Sequence, residues 1–155
     1  MAGRILIDTN ILLYAYDRGQ PAKQPLALTV LDQLVAHGLG ALTSQVLAEF
    51  FVNATKKLQP PLTVEEAHGR IQNYLLSWEV LEITGAIVLE AVRGVRVYRL
   101  TYWDAHIWAS ARLNQIPLVF SEDFSDGVII EGVRFVNPFG AGFNLETWLP
   151  GARST

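Results

Sequence analysis

The sequence predicts an α/β fold built on a parallel sheet, and two observations carry that prediction. Short runs of aliphatic and β-branched residues alternate with longer segments of helical periodicity, which is typical of parallel strands joined by helices. Of the 155 residues, half are hydrophobic and 17% are charged, a composition that favours one large core over a disordered chain. We expect a single domain over residues 1–139, with residues 140–155 as a C-terminal extension, because the pattern fades beyond Phe139.

Local signals mark the ends of elements in the first half of the chain. Gly38 is a predicted helix C-cap, and Pro60 prevents a helix from continuing past it. Thr63 and Glu66 have the spacing of a capping box that opens a helix. The predicted strands cover residues 5–7, 41–43 and 79–83, and the predicted helices cover residues 22–37, 44–58 and 63–78, with a shorter helix from Ile11.

Similar signals continue in the second half of the chain. Thr101 and Asp104 repeat the capping-box spacing and open a late helix. Residues 117–120 are typical of a buried strand, and a polar turn follows over residues 121–126. The remaining predicted elements are helices over residues 85–98 and 101–114 and a last strand over residues 133–136.

The composition excludes several classes of protein. Without cysteine the chain has no disulfide, thiolate metal site or cysteine nucleophile, which fits a reducing compartment. A net charge of -3 excludes an overall basic footprint, so a nucleic acid would have to bind a local patch. Residues 33–48, which apart from His37 lack acidic and basic side chains, contain glycines and hydroxyls and do not predict a membrane span. The apolar run after Arg4 is too short for a signal peptide, so we expect a cytoplasmic protein.

Acidic residues that follow strands are the first candidates for a functional site, because ligands of open parallel sheets bind beyond the carboxyl ends of the strands. Asp8 and Asp123 occupy such positions, although turn residues and N-caps have the same placement. Glu49 lies on a polar stripe of its predicted helix, where the alternative is a solvated glutamate. Asp104 shares a helical face with apolar residues, so its carboxylate is predicted to face the packed side, and a capping role is compatible with this.

Four acidic motifs occur in a characteristic order along the chain. They are Ile7-Asp8-Thr9-Asn10 after the first strand, Glu49 in the helix after the second, Trp103-Asp104-Ala105 at the start of a late helix, and Ser121-Glu122-Asp123-Phe124 after a strand. In this order they resemble the PIN-domain ribonucleases, most closely the toxin halves of bacterial VapBC-type toxin–antitoxin pairs, over about residues 4–139. The resemblance implies a three-layer α/β/α sandwich with a central parallel sheet. It also implies that four acids meet at one end of that sheet: Asp8, Glu49, Asp104 and Asp123. Glu122 and Asp126 are alternatives for the fourth position.

Clustered carboxylates of this kind require a cation. Two carboxylates about 5 Å apart repel by roughly 3 kcal/mol at an effective dielectric constant of about 20, and four compound that cost. Oxygen ligands favour hard cations, so we expect Mg²⁺ or Mn²⁺ with the four acids as ligands or water-positioning groups. Such an ion lowers the pKa of a water for in-line attack on a phosphodiester. We expect Thr9, Asn10 and Ser121 to support the acids through hydrogen bonds.

The resemblance implies a metal-dependent endoribonuclease that leaves a 5′-phosphate and a 3′-hydroxyl, with RNA as substrate and an antitoxin protein as partner. It is also compatible with a homodimer. The alternative is a PIN-like module that binds RNA or protein without cleavage, and occupation of all four acidic positions argues against it. A phosphatase of the haloacid-dehalogenase type is not predicted, because the second residue after Asp8 is Asn10 rather than an aspartate.

Histidines, serines and glycines predict no other type of catalytic site. His37, His68 and His106 have no metal-ligand spacing, and we expect all three to be structural. Ser44 and Ser110 lie in no G-x-S-x-G motif, so a serine hydrolase is not predicted. The glycines form no dinucleotide-binding fingerprint.

Basic and aromatic residues offer candidates for contacts with nucleic acid. Arg93, Arg96 and Arg99 lie along one side of a predicted helix, where we expect a solvated stripe, with a phosphate-binding patch as the alternative. Trp103, Trp108 and Tyr102 are candidates for stacking on bases, but core packing is the expectation for the two tryptophans.

Overall fold

The computed structural model describes residues 3–151 and contains a mostly parallel sheet flanked by helices. The strands are β1 (Ile5–Ile7), β2 (Gly40–Thr43), β3 (Glu79–Leu81), β4 (Leu118–Phe120), β5 (Ile129–Ile130) and β6 (Val133–Val136). Their order is β3-β2-β1-β4-β6-β5, and every neighbouring pair is parallel except β5 with β6. Strands β1 and β4 are buried along their whole length, as central strands are when helices cover both faces of a sheet.

The helices that connect the strands are α1 (Thr9–Tyr16), α2 (Gln24–His37), α3 (Ser44–Ala54), α4 (Val64–Ser77), α5 (Gly85–Tyr98) and α6 (Tyr102–Leu113). They pack in two groups, since α1 contacts α2 and α3, α3 contacts α4, and α5 contacts α6. The chain runs outward from β1 through β2 to β3 and then returns to β4 on the other side of β1. Right-handed crossovers in these opposite directions place the two groups on opposite faces of the sheet. The predicted three-layer α/β/α sandwich is confirmed.

Several element ends lie where the local sequence signals predict them. Gly38 ends α2 in the left-handed conformation, with φ of 64°, which glycine adopts without strain. The Thr63 hydroxyl accepts a hydrogen bond from the amide of Glu66, and the Glu66 carboxylate accepts one from the amide of Thr63, each at 3.0 Å. This completes the predicted capping box at the start of α4. The bounds predicted for α5 and β6 are the observed ones.

The predicted end of α3 is wrong. The helix stops at Ala54 rather than at residue 58. The Thr55 hydroxyl donates to the carbonyl of Phe51 at 2.8 Å, and the amide of Lys57 bonds back to the carbonyl of Asn53 at 2.7 Å. These local bonds close a turn before the prolines are reached, because threonine side chains compete for backbone partners.

Other elements differ from their predictions or were not predicted. Helix α1 begins at Thr9, two residues before the predicted start, because the side chain of Asp8 caps it. Strand β5, which has two residues, and the 3₁₀ helix Leu145–Trp148 are not among the predicted elements. The remaining ends differ by one or two residues, which is usual where helices and strands fray.

The core fills both sides of the sheet and extends into the C-terminal residues. Phe50 of α3 and Trp108 of α6 are among the largest fully buried side chains. Phe143, beyond the last strand, packs edge-on against Phe120 with ring centroids 5.5 Å apart, and Trp148 also packs against the core. Within residues 3–151, no helix has both the length and the apolar character to cross a membrane.

Candidate active site

The candidate site lies at the carboxyl ends of β1 and β4, where the strand order changes direction. Ile7 and Phe120 are paired in the sheet, so Asp8 and Ser121 leave it side by side. The amide of Asp8 also donates to the carbonyl of Phe120 at 3.0 Å. An open parallel sheet forms its ligand crevice at such a change of direction, because the connections on either side diverge to opposite faces.

Asp8 is partly buried, and each of its carboxylate oxygens accepts a hydrogen bond. The amide of Thr9 donates to Oδ1 at 2.8 Å, and the hydroxyl of Ser121 donates to Oδ2 at 2.7 Å. Desolvation, together with the smaller effect of the nearby charges of Asp123 and Glu49, nevertheless raises the pKa of Asp8 to about 6 against these two bonds. A carboxyl with this pKa is poised to exchange a proton for a cation near neutral pH.

Two acids of the loop 121–126 are bound away from Asp8. The Glu122 carboxylate accepts from the Tyr14 hydroxyl and from Lys23 Nζ, each at 2.5 Å. Asp126 accepts from the amide of Asn137 at 2.9 Å and so closes the loop after β6. No local sequence pattern indicates these roles of Tyr14 and Lys23, since Lys23 and Glu122 are 99 positions apart in the chain.

Asp123 is the acid of this loop that shares contacts with Asp8. Its amide donates to the Ser121 hydroxyl at 3.1 Å, the same hydroxyl that donates to Asp8. Its carboxylate accepts from the side-chain amide of Asn10 at 3.1 Å. Asn10 and Ser121 therefore connect the start of α1 to the loop after β4, while Thr9 contributes only its backbone amide.

Glu49 and Asp104 approach the same region from two helices on opposite faces of the sheet. Glu49 of α3 is partly buried and accepts from the side-chain amide of Gln45 at 3.2 Å. Asp104 lies in the first turn of α6, whose N-cap is Thr101. Burial raises the pKa of Asp104 above its ordinary value, the Thr101 hydrogen bond opposes this, and the charge of Asp123 adds to it. The four acids are therefore coupled electrostatically in pairs through Asp8 and Asp123.

The donor set fits a hard divalent cation, since all four side chains offer carboxylate oxygens and no sulfur or imidazole competes. As placed, however, no three histidine or acidic side chains within residues 3–151 converge closely enough to hold an ion. Neutral donors hold two of the four acids, since the Ser121 hydroxyl donates to Asp8 and the Asn10 side-chain amide donates to Asp123.

The basic and aromatic candidates have different environments. Arg93 is held by Glu90 and Glu131 in an ion-pair network, whereas Arg96 and Arg99 are exposed. Trp108 is buried and donates from Nε1 to the carbonyl of Ile130 at 3.1 Å, so core packing is confirmed for this residue. Trp103 is 56% exposed, and the expectation of core packing is wrong for it because its position in the first turn of α6 faces out of the α5–α6 contact.

A concavity of about 710 Å³ lies away from the acids. It is lined by residues at the opposite ends of the strands, among them Gly3, Pro117 and Trp148. Pro117 precedes β4, whereas the acids lie beyond the carboxyl ends of the strands. This concavity and the candidate acids therefore lie at opposite ends of the strands, and the acids lie where ligands of open parallel sheets bind.

Comparison with known proteins agrees with the fold. The sequence matches the family model of the PIN domain over residues 5–125. Comparison with curated proteins gives no significant match. A toxin–antitoxin complex from Klebsiella pneumoniae contains a chain of 23% identity and TM-score 0.62, with 87% of this chain and 98% of that one covered. VapC20 of Mycobacterium tuberculosis, a sarcin–ricin loop cleaving toxin, has 20% identity and TM-score 0.62, with coverage of 84% and 98%. A DNA-bound VapBC complex from Salmonella typhimurium has 16% identity and TM-score 0.63, with coverage of 88% and 98%.

Proposed function

The chain belongs to the PIN domain family, and on this premise we propose that it is an endoribonuclease that depends on Mg²⁺ or Mn²⁺. The observation that carries the proposal is the electrostatic coupling of Asp8, at the end of β1, to Glu49 and Asp123, and of Asp123 in turn to Asp104. Burial, with a smaller contribution from the neighbouring carboxylates, raises the pKa of Asp8 to about 6, and a divalent cation bound there would relieve the repulsion between the acids.

In the proposed site, the cation would be held by side chains from four elements: Asp8, Glu49, Asp104 and Asp123. When bound, Mg²⁺ or Mn²⁺ supplies an activated water and neutralises charge on the phosphodiester. The protein's own contribution is orientation, because the Ser121 hydroxyl fixes one oxygen of Asp8 and Asn10 fixes Asp123. Preorganised carboxylates reduce the rearrangement needed during the reaction.

A nuclease assay on single-stranded RNA, with Mg²⁺, with Mn²⁺ and with chelator, tests the proposal. We expect cleavage only with a divalent ion, and loss of at least about a hundredfold in Asp8→Asn and Asp104→Asn, because a lost ligand removes several kcal/mol of transition-state stabilisation. Asp32→Asn, on the exposed face of α2, is the matched control and should cleave as the parent does. Near-parental cleavage in both site variants would contradict the assignment, and RNA binding without cleavage would favour the non-catalytic module.

We further propose a protein antitoxin as the partner, with the cytoplasm as the place of action. The support is the fold shared with chains from toxin–antitoxin complexes. An arginine is the side chain best suited to pair with several carboxylates, so we expect an Arg or Lys of the partner to enter between the four acids. Inhibition should then weaken as Mn²⁺ or salt concentration rises, since one competes for the acids and the other screens the attraction.

Co-purification with the product of the neighbouring gene checks this partner. The co-purified partner should inhibit the nuclease less at high Mn²⁺ than at low Mn²⁺. The Asp32→Asn variant should be inhibited to the same extent as the parent. If the neighbour neither binds nor inhibits, the antitoxin proposal fails while the nuclease proposal stands.

A homodimer stays a prediction, and α5 offers the surface that we propose for it. This helix exposes an apolar face at Val88, Leu89, Val92 and Val95. A face of this kind is a typical contact for a second copy of a chain. Sedimentation of the parent and of Leu89→Glu checks it, since a charged side chain at the centre of the face should favour the monomer.

A further inference from the structure

Trp103 is a large aromatic residue exposed to solvent beside one of the four acids. It is 56% exposed, whereas Trp78 and Trp108 are buried and Trp148 is partly buried. Trp103 directly precedes Asp104 in the first turn of α6. Burial of a tryptophan ring is a large source of stabilisation. A ring left in water at this position therefore indicates a role in binding.

The Trp103 ring is supported from the side without being covered. Its centroid lies 5.0 Å from that of Tyr102, with the ring planes at 77°, and 5.4 Å from that of His106. His106 is itself buried in α6. Because these contacts restrict the ring before any ligand arrives, stacking on it costs little conformational entropy.

Cationic side chains lie at the same end of the α5–α6 pair. Arg99 closes α5 in the left-handed conformation, and Arg96 lies in its last turn, so both precede the first turn of α6. Both are exposed, and among residues 3–151 neither forms an ion pair. Arg93 and Arg112, by contrast, are both held by Glu90. Arg96 and Arg99 are thus the arginines of this region available to phosphates.

We propose that the Trp103 ring stacks on an unpaired base next to the phosphodiester that is cut, while Arg96 and Arg99 contact the flanking phosphates. This inference rests on the proposed ribonuclease function and names its substrate class as RNA that is single-stranded at the cleavage position. Every base has a face that can stack, so the contact tolerates sequence, but a base inside a duplex has no free face to offer.

The charges around Trp103 favour RNA over a polypeptide as the occupant. The partner proposed for the acidic site carries an Arg or Lys, and Arg96 and Arg99 would repel such a segment. The same two arginines attract the phosphates of a nucleic acid. An exposed aromatic ring next to Asp104 in the chain, at the end of the α5–α6 pair that also carries Arg96 and Arg99, therefore matches a strand whose backbone is anionic and whose bases are flat.

Binding of a fluorescein-labelled, single-stranded RNA oligonucleotide, followed by anisotropy in Mg²⁺, tests the inference. The Asp8→Asn background prevents cleavage during the measurement. In that background Trp103→Ala should weaken binding by about tenfold, the loss expected for one base–aromatic stack, and Trp103→Phe should recover most of it. Leu76→Ala, which truncates an exposed residue of α4, is the matched control and should change nothing.

An abasic substitution moved along the oligonucleotide makes the test specific to stacking. At one position in the RNA, the abasic substitution should weaken binding to the Asp8→Asn protein as much as Trp103→Ala does. It should cause no further loss of affinity in the variant that carries Trp103→Ala, because both changes remove the same contact. Thermal midpoints check that each variant folds, and Trp103→Phe retains the packing on Tyr102 if Trp103→Ala does not fold.

Each outcome bears on one proposal or on both. If Trp103→Ala and Trp103→Phe bind RNA as tightly as their parent while the native protein cuts RNA, this inference is overturned and the ribonuclease proposal stands. Loss confined to binding of a partner polypeptide also overturns it and assigns Trp103 to a protein interface. If the native protein neither binds nor cuts RNA, the ribonuclease proposal fails and this inference fails with it.

Discussion

Asp8 has opposing effects on the stability of the protein. As the N-cap of α1 its carboxylate accepts the amide of Thr9, which favours the helix. Its partial burial beside Asp123 and Glu49 disfavours the same negative charge and raises its pKa to about 6. Functional residues commonly lower stability in this way, because the arrangement that binds a ligand is strained without it.

Asp8→Asn should therefore stabilise the protein in a pH-dependent manner. The pKa of Asp8 is about 6 in the folded state against 3.8 ordinarily, so the folded state binds the proton more tightly than the unfolded chain does. The stability that protonation provides is complete below about pH 4 and is lost as pH rises through 6, a change of about 3 kcal/mol at most. Asparagine also caps helices. In chelator, the variant should melt higher than the parent at pH 7.5, and the difference should shrink toward pH 4.

Circular dichroism at several pH values measures this difference. Asp32→Asn removes an exposed carboxylate and should show no such trend. If Asp8→Asn and the parent lose stability in parallel between pH 4 and pH 7.5, Asp8 is not the group that titrates.

At the scale of elements, helices α5 and α6 pack closely against each other at Gly94, a contact that helix periodicity in the sequence does not predict. A Cβ atom added to Gly94 would lie 2.9 Å from the Trp108 ring and 3.2 Å from the Cβ of Ala105. Gly69 in α4 has open space around the same position. The two glycines have the same helix propensity and different surroundings, so they separate local from tertiary effects.

Alanine should have opposite effects at these two positions. Gly69→Ala should stabilise by about 0.5–1 kcal/mol through reduced freedom of the unfolded chain. Gly94→Ala should destabilise by about 1–3 kcal/mol, because the ring of Trp108 has no room to move inside the core. Urea denaturation of both variants measures the two changes. Stabilisation by both would contradict the close α5–α6 contact.

Elements defined by neighbouring residues could be predicted from the sequence, and contacts between distant residues could not. Gly38 and the Thr63 capping box act within one turn, so their signals are local. The end of α3 depends on side-chain bonds of Thr55 that no periodicity reveals. Glu122 forms an ion pair with Lys23, whereas Asp123 shares a hydrogen-bond partner with Asp8. This difference between the two neighbouring acids arises only once β1 and β4 are side by side. Motif order identifies the candidate acids, while the fold decides which partners each one has.

At the scale of the molecule, the four candidate acids link parts of the chain that are otherwise separate. They come from the end of β1, from α3, from α6 and from the loop after β4. An ion bound by all four would cross-link both helical layers through the sheet. Because it binds the folded state alone, its effect on stability follows its concentration.

Mg²⁺ or Mn²⁺ should therefore raise the thermal midpoint in a concentration-dependent way. A site at a hundredfold excess of ion over Kd gains about 2.7 kcal/mol. Asp8→Asn should lose most of this response, and Asp32→Asn should keep it. Differential scanning calorimetry over a titration, at constant ionic strength, checks the effect. A midpoint that does not move over the titration counts against a metal site formed by these residues.

The contact between Ser121 and Asp8 also bears on when the candidate site forms during synthesis. The two residues are 113 positions apart, and β1 pairs with β4 only after residues 118–120 have been made. Until then the first strand lacks a central neighbour, and Asp8 has neither its hydrogen-bond partner nor Asp104 and Asp123 beside it. A domain folds as a unit once its long-range pairings are available. In the proposed ribonuclease the four acids can therefore meet only after β4 and the loop that follows it have left the ribosome, so a shorter nascent chain would not yet contain the site.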